Sequence, residues 1–483
     1  MILEINTVNF LYKMTLKYKG KYEGIRSLMK IGEIPKEEWK SLTYNGTVKY
    51  VWLMGVWKRS PLSKKIAIRN IKNYLSLFPG LTEEDILGSP YAIQAYVPDP
   101  VIGTFEDLLK VKKVLNDMGV KLILDFVPNH FSLDNIYLSE GIFIEVDFEK
   151  YKINPDLFHI FQQGESFRYI AYGKDPNFPP WIDTLQVNIF CDKTQKLLID
   201  ILKSISKYAD GVRVDMSMLL LKNIFYKNWN AFIQTENLDN IQEFWELVSN
   251  SVDLELIAEC YWNTEETLLS LGFDYVYDKT FLDGVYQMNH RLIKKLICKD
   301  LSIQKRMVRF LENHDEERIA SKISQDNSLP IITLFLTCPG LKMIYWEQFE
   351  GQSIKIPIHL LRYTDQYKFV PHYSKILSIY QEYRDLFEKG KFAVFKVDNI
   401  FDHTASNLIS YGYLGYNNFI LIVTNLSGFY SQGIVNIPIE GELEIIELLS
   451  GRVYKRNLSS LHVILNSYEV QIFTLNKYSK LRS

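Results

Sequence analysis

Lys121-Leu122-Ile123-Leu124-Asp125-Phe126-Val127-Pro128-Asn129-His130 opens as a nearly unbroken apolar run and ends in a carboxylate, an amide and an imidazole. The run reads as a short strand with polar groups gathered at its C-terminal end. The same form returns at Asp210-Gly211-Val212-Arg213-Val214-Asp215, at Leu256-Ile257-Ala258-Glu259 and at Phe310-Leu311-Glu312-Asn313-His314-Asp315. In all, strand-like runs occupy Ile2–Val8, Lys49–Met54, Lys121–Phe126, Gly211–Asp215, Glu255–Glu259, Tyr275–Asp278, Met307–Leu311 and Lys342–Tyr345. Amphipathic stretches such as Thr104–Met118, Gln195–Tyr208 and Phe281–Cys298 lie between them. Strand and helix alternating about eight times predict an α/β fold, a (β/α)8 TIM barrel with its helices outside.

Working outward, one connection breaks the rhythm. About sixty residues, 129–188, separate the third run from the fourth, rich in Phe, Tyr, Pro and Asp and without a long helical period. A connection of that length predicts an inserted subdomain after the third strand. Beyond residue 388 the pattern changes to short β-branched or aromatic runs separated by turn residues: Phe392–Val397, Leu408–Tyr413, Phe419–Thr424, Gly433–Ile437, Leu443–Leu448 and Val470–Phe473. These predict a C-terminal antiparallel β-sandwich. The expected boundaries are 1–128 with 189–388 for the barrel, 129–188 for the insertion and 389–483 for the β domain.

The composition is that of a globular chain, 47% hydrophobic and 23% charged over 483 residues. With 55 Lys+Arg against 57 Asp+Glu, the charge balance makes no case for nucleic acid or an anionic membrane as partner. The N-terminus lacks the basic start and apolar core of a leader, and Ile331–Trp346 is interrupted by Pro339, Gly340 and Lys342, so no transmembrane helix is expected. Cys191, Cys260, Cys298 and Cys338 form no CxxC pair. They are expected as free, mostly buried thiols in a reducing compartment, which makes the cytoplasm the default location.

Barrel enzymes build their sites at the C-terminal ends of the strands, where all four polar clusters fall. Singly, an Asp after a strand caps the next helix, and a lone His is structural. Together they bring carboxylates, two imidazoles and one guanidinium to one rim. Arg213 and Asp215, two apart on a strand, face the same way, and the cation keeps the carboxylate ionised. Glu259, after an apolar run, suits a proton donor. An ionised carboxylate paired with a protonated one is what glycoside hydrolysis needs, although a metal hydrolase also favours Asp and His at strand ends. No HxH or HExxH spacing occurs to support that alternative.

In order and spacing these four segments resemble the signature regions of the α-amylase family, glycoside hydrolase family 13. The resemblance spans residues 121–315, and other stretches (residues 51–57, 175–184 and 272–279) are similar to a less-studied branch. It implies a retaining glycosidase acting on α-glucans or maltooligosaccharides. Asp215 would be the nucleophile, Glu259 the general acid/base and Asp315 the transition-state stabiliser. Arg213 would orient Asp215, while His130, His314 and the stacking Tyr91 contact sugar. Asp125 is expected as a mainly architectural neighbour, and Trp181, Tyr261, Trp57 and Trp262 as further sugar contacts. Retention implies Asp215 and Glu259 about 5–5.5 Å apart. No cofactor is required, and calcium stays open with Asn129 as its candidate ligand.

Two departures bear on specificity. Many α-amylases carry Lys-His shortly after the nucleophile, where this chain has Met216-Ser217-Met218-Leu219. Many exo-acting α-glucosidases carry Asp three residues before the stacking Tyr, where this chain has Gly88, which leans towards an open cleft. Transglycosylation by the same fold and a non-catalytic sugar-binding role stay open, as do the linkage, endo or exo action and oligomeric state.

Overall fold

Apolar runs with no polar face cannot lie at a surface, and the eight runs bury themselves against one another as parallel strands. The computed structural model describes residues 1–235, 238–368, 370–416, 418–437, 442–457 and 459–477. The runs become β1 (Ile2–Asn6), β2 (Tyr50–Met54), β3 (Lys121–Phe126), β4 (Gly211–Val214), β5 (Glu255–Ala258), β6 (Tyr275–Tyr277), β7 (Met307–Arg309) and β8 (Leu341–Tyr345). They close into an eight-stranded barrel in sequence order, with β8 beside β1. β1 stops short of the expected Val8 because Asn6 caps the helix Thr7–Lys19, its Oδ1 accepting the Asn9 N–H at 3.4 Å.

Register sets the heights of the polar strand ends. Arg213 on β4 stands opposite Asp125 on β3 and Ile257 on β5, and Val214 stands opposite Ala258. Asp215 and Glu259 therefore leave their strands at one level, and Asp125 and Arg213 share a face one step below. β4 begins with Gly211 because its neighbours come close: a Cβ there would stand 2.6 Å from the Glu255 carbonyl oxygen and 2.8 Å from Ile123 Cδ1.

The chain divides into two compact units, Met1–Tyr277 with Lys355–Asp365, and Asp278–Ile354 with Gln366–Ser483. The first holds β1 to β6 and the long connection after β3, which is folded. His130–Ser132 pairs antiparallel with Thr184–Gln186. Phe158–Gln163, Ser166–Ala171 and Glu145–Val146 form a three-stranded sheet, with Tyr151 stacked on Tyr169 at 4.4 Å. Two carboxylates pin this insertion to the segment after β2: Asp134 accepts from Ser60 Oγ at 2.5 Å, and Asp183 from Ser63 Oγ at 2.6 Å.

The second unit holds β7, β8 and the C-terminal strands. The single helix expected over Phe281–Cys298 is two, Lys279–Tyr286 and His290–Ile297. Met288 turns left-handed at φ 50°, and Asn289 then caps the second helix, its Oδ1 accepting the Leu292 N–H at 3.1 Å. The C-terminal strands form a six-stranded and a three-stranded antiparallel sheet. Phe419, Leu421 and Val423 from one meet Val435, Val463 and Leu465 from the other in a single core, as period-2 alternation requires. Arg452–Asn457 and Ser460–Leu465 are strands that the sequence reading did not anticipate. Arg452–Asn457 sits at a sheet edge, where charge is normal and the apolar signal is weak. Residues 417, 438–441, 458 and 478–483 of the expected β domain lie outside the described residues.

None of the four cysteines is bridged; Cys260 and Cys338 are buried, but Cys191 is partly buried and Cys298 exposed, so the thiols are not mostly buried as expected. Among the described residues no helix is long and apolar enough to cross a membrane.

Gly211→Ala should destabilise the fold by about 1–3 kcal/mol, because the Glu255 backbone cannot give way. Thermal and denaturant unfolding followed by circular dichroism would read this as a lower Tm and a lower midpoint.

Candidate active site

Arg213 is 1% exposed, and a guanidinium removed from water has to be paired. Its Nη1 donates to Asp215 Oδ1 at 2.6 Å, and its Nε donates to Tyr277 Oη at 3.4 Å. Nη2 lies 2.8 Å from Glu259 Oε2, a charge contact out of hydrogen-bond alignment. The rings of Trp52, Tyr91 and Tyr277 stand 5.1, 5.5 and 5.8 Å from the guanidinium carbon. Burial pulls the pKa of Arg213 down, but Glu259 foremost, then Tyr91, Tyr277 and Asp215, hold it well above its ordinary value. One permanent cation thus joins the carboxylates at the ends of β4 and β5.

Glu259 is bound from three further directions. The Met216 N–H donates to Oε2 at 2.7 Å, and the Tyr261 hydroxyl to Oε1 at 2.8 Å. Ser217 holds the Glu259 carbonyl through its hydroxyl at 2.5 Å and its N–H at 3.1 Å. The chain turns here through Met216 in the left-handed region (φ 44°, ψ 42°) into the buried 3-10 turn Ser217–Leu220. Ser217, Met218 and Leu219 are thus buried, and Met216 and Ser217 brace Glu259. Met216, Ser217, Trp52 and Tyr277 are site residues that the sequence reading missed. Their legible signal was position: Met216 and Ser217 directly follow Asp215, and Trp52 and Tyr277 fall within the stretches 51–57 and 272–279 singled out above.

A second group of side chains comes from the insertion and the segment before it. The His130 ring lies 5.0 Å from that of Trp181. Burial pushes its pKa down to about 4, against the pull of Asp183 and the Tyr91 backbone. At neutral pH the imidazole is uncharged, with one nitrogen to donate and one to accept. Gly88, three residues before Tyr91, has φ 85°, and a Cβ there would stand 2.7 Å from the Lys64 backbone nitrogen. The backbone itself thus disfavours an acidic side chain at this position.

Asp125 is turned inward: Oδ1 accepts from Trp52 Nε1 at 3.0 Å, and Oδ2 from the Gly55 N–H at 2.6 Å. Trp57 is 1% exposed, donates its indole N–H to the Asp125 carbonyl at 2.7 Å and packs against Tyr96. It is a core residue, not the sugar contact expected of it. Trp262 is 41% exposed, and Tyr261 beside it is half-buried.

In the second unit, buried His314 places Nε2 3.0 Å from Oδ2 of Asp315, whose side chain is 49% exposed. Asn313 Oδ1 accepts the N–H groups of Asp315 and Glu316 at 2.9 and 2.8 Å, fixing the turn after β7. Glu312 is fully buried and paired with Arg318 at 2.8 Å.

Asn129 is a poor fit for calcium. Its Oδ1 accepts from Gln186 Nε2 at 2.9 Å, and the same nitrogen faces the Asn129 carbonyl at 2.9 Å and the Val187 carbonyl at 3.2 Å. The carboxamide nitrogen stands among three oxygens of the kind that a hard cation collects. Among the described residues no group of three or more His, Cys, Asp or Glu is placed to hold a metal.

The depressed His130 pKa has a consequence for folding. Between its unfolded value of about 6.5 and its folded value of about 4, the unfolded chain binds the extra proton. Stability is therefore full above about pH 6.5 and falls towards pH 4, by about 3 kcal/mol for this group. His130→Gln should flatten the Tm-against-pH curve over that window in calorimetry, leaving the slope due to the other histidines whose pKa burial lowers: His359, pushed down to about 4, and His159, His290 and His372.

No family model matches this chain. One curated protein, Maltase A2 from Drosophila melanogaster, is 36% identical over 61 residues, which is 13% of this chain and 11% of that protein. Solved structures match over nearly the whole length. A noncanonic maltogenic alpha-amylase from Thermotoga neapolitana superposes at TM-score 0.66 with 17% identity over 99% of each chain. An alpha-amylase from Geobacillus thermoleovorans, complexed with acarbose, superposes at 0.66 with 16% identity over 99% and 98%. A trehalose-6-phosphate hydrolase from Bacillus licheniformis follows at 0.62, with 15% identity over 95% and 97%. The barrel and β domain read from the sequence are thus those of solved enzymes of this type, and the chain has the α-amylase fold.

Proposed function

We propose that this chain is a retaining α-glucosidic hydrolase of the α-amylase family, cleaving α-1,4 bonds in starch- or glycogen-type glucans or maltooligosaccharides. The observation that carries the reading is one buried guanidinium held between Asp215 at 2.6 Å and Glu259 at 2.8 Å. Asp215, ionised and oriented by Arg213, attacks the anomeric carbon while Glu259 gives its proton to the departing glycosidic oxygen. A glycosyl ester on Asp215 results. Glu259, now a carboxylate, takes a proton from water as that oxygen bonds to the anomeric carbon and Asp215 leaves. The shared cation suits this division. While Asp215 is charged, a second negative charge on Glu259 is disfavoured; once Asp215 is esterified, the charge on Glu259 is favoured.

Asp315 is read as the third carboxylate, working with His314 on sugar hydroxyls. His130, Tyr91 and Trp181 are read as the sugar-contacting wall, and Asp125 as the brace beneath Arg213. No cofactor enters the scheme. Gly88 in place of an acidic residue supports an open cleft and longer glucans. The four unbridged cysteines support a cytoplasmic location. Transfer to a sugar acceptor uses the same intermediate and is the second reading.

Purified protein should cleave maltooligosaccharides with retained anomeric configuration, as NMR of the first-formed product reads directly. Asp215→Asn and Glu259→Gln should each lose activity by about 1,000-fold or more. Longer products appearing alongside shorter ones would favour transfer, and binding without turnover on every α-glucan would sink the catalytic reading.

A further inference from the structure

The two oxygens of Glu259 meet partners of different kinds. Oε2 receives the Met216 N–H at 2.7 Å and faces Arg213 Nη2 at 2.8 Å. Both are donors only, with no lone pair for a carboxyl proton. Oε1 meets the Tyr261 hydroxyl at 2.8 Å, a group that can donate or accept.

The segment that presents Tyr261 is strained. Trp262 and Asn263, directly after it, have φ 62° and 59°. Two consecutive left-handed residues are unusual, and a bulky aromatic there is an outlier. Thr264 closes the turn, its hydroxyl donating to the Tyr261 carbonyl at 2.7 Å and its N–H at 3.3 Å. Such strain persists only where surrounding contacts over-determine it, and it gathers at working sites.

We propose that Tyr261 is a positioning residue for Glu259, its hydroxyl donating to Oε1 of the carboxylate and turning to accept when Oε1 is protonated. The mobile proton of the acid/base then resides on Oε1. This rests on the reading of Glu259 as the acid/base. In the first step the Oε1 proton passes to the glycosidic oxygen as the bond from that oxygen to the anomeric carbon breaks and the Asp215 ester forms. Tyr261 then donates to the new carboxylate. In the second step Oε1 recovers a proton from water as the ester is cleaved, and Tyr261 ends as it began. Among the described residues of the first unit, Arg213, Tyr261 and Tyr277 are charged or titratable groups that face Glu259, with Asp215 on the far side of Arg213.

Tyr261→Phe keeps the ring and removes the hydroxyl. A hydrogen bond to a charged acceptor is stronger than one to a neutral partner, so its loss raises the pH at which Glu259 gives up its proton. The basic limb of kcat/KM against pH should move up by about half to one unit. Thr264→Val, which loosens the turn without touching Glu259, should shift it less in the same direction, and serves if the Phe variant does not fold. A 13C NMR titration of the Glu carboxyls, with Glu259 assigned from Glu259→Gln, reads the same shift without turnover. An unchanged basic limb together with an unchanged Glu259 titration overturns the proposal. A wild type inert on every α-glucan defeats the acid/base reading instead, and the NMR titration still decides whether Tyr261 sets the proton affinity of Glu259.

Discussion

A guanidinium inside a barrel has no water to share its charge, and much of the site follows from that constraint at Arg213. Its nitrogens reach outwards to Asp215, Glu259 and Tyr277, and the rings of Trp52, Tyr91 and Tyr277 stand around it. Removing either carboxylate would leave a buried charge short of a partner, which costs far more than an ordinary surface pair gains. Lysine, a point charge without a planar fork, is poorly suited to serve two carboxylates at once. Asp215 and Glu259 are thus coupled through one cation before any substrate arrives.

Around that cation the backbone makes compensating concessions. Met216 sits left-handed and gives its N–H to Glu259, Ser217 holds the Glu259 carbonyl, and two left-handed residues follow Tyr261. Asp125, one step below, spends both oxygens on Trp52 and Gly55 and so links β3 to the end of β2. The insertion after β3 adds His130, whose burial keeps the imidazole neutral and able both to donate and to accept.

The barrel was legible because its strands are buried on both faces and so read as continuous apolar runs, from Leu122-Ile123-Leu124 to Met343-Ile344-Tyr345. The sandwich was legible for a related reason: Phe419-Ile420-Leu421-Ile422-Val423 is dense with β-branched and aromatic side chains. Arg452–Asn457 was not, because an edge strand need not be apolar. The break at Met288 was not, because periodicity continues across a single left-handed residue and only Asn289 hints at a new cap.

What the sequence by itself determined was the kind of group at each strand end: a carboxylate at 215, at 259 and at 315, a guanidinium at 213, and imidazoles at 130 and 314. Alternation along β4 also placed Arg213 and Asp215 on one face. Only the tertiary structure decided which groups from different elements meet. It gave Arg213 a second carboxylate from β5, set Tyr261 on Glu259, filled the oxygen cluster at Asn129 with the Gln186 amide, and sank Trp57 into the core. The reason is physical: spacing along a chain encodes the direction in which a side chain points, whereas barrel closure and loop packing set what stands opposite it.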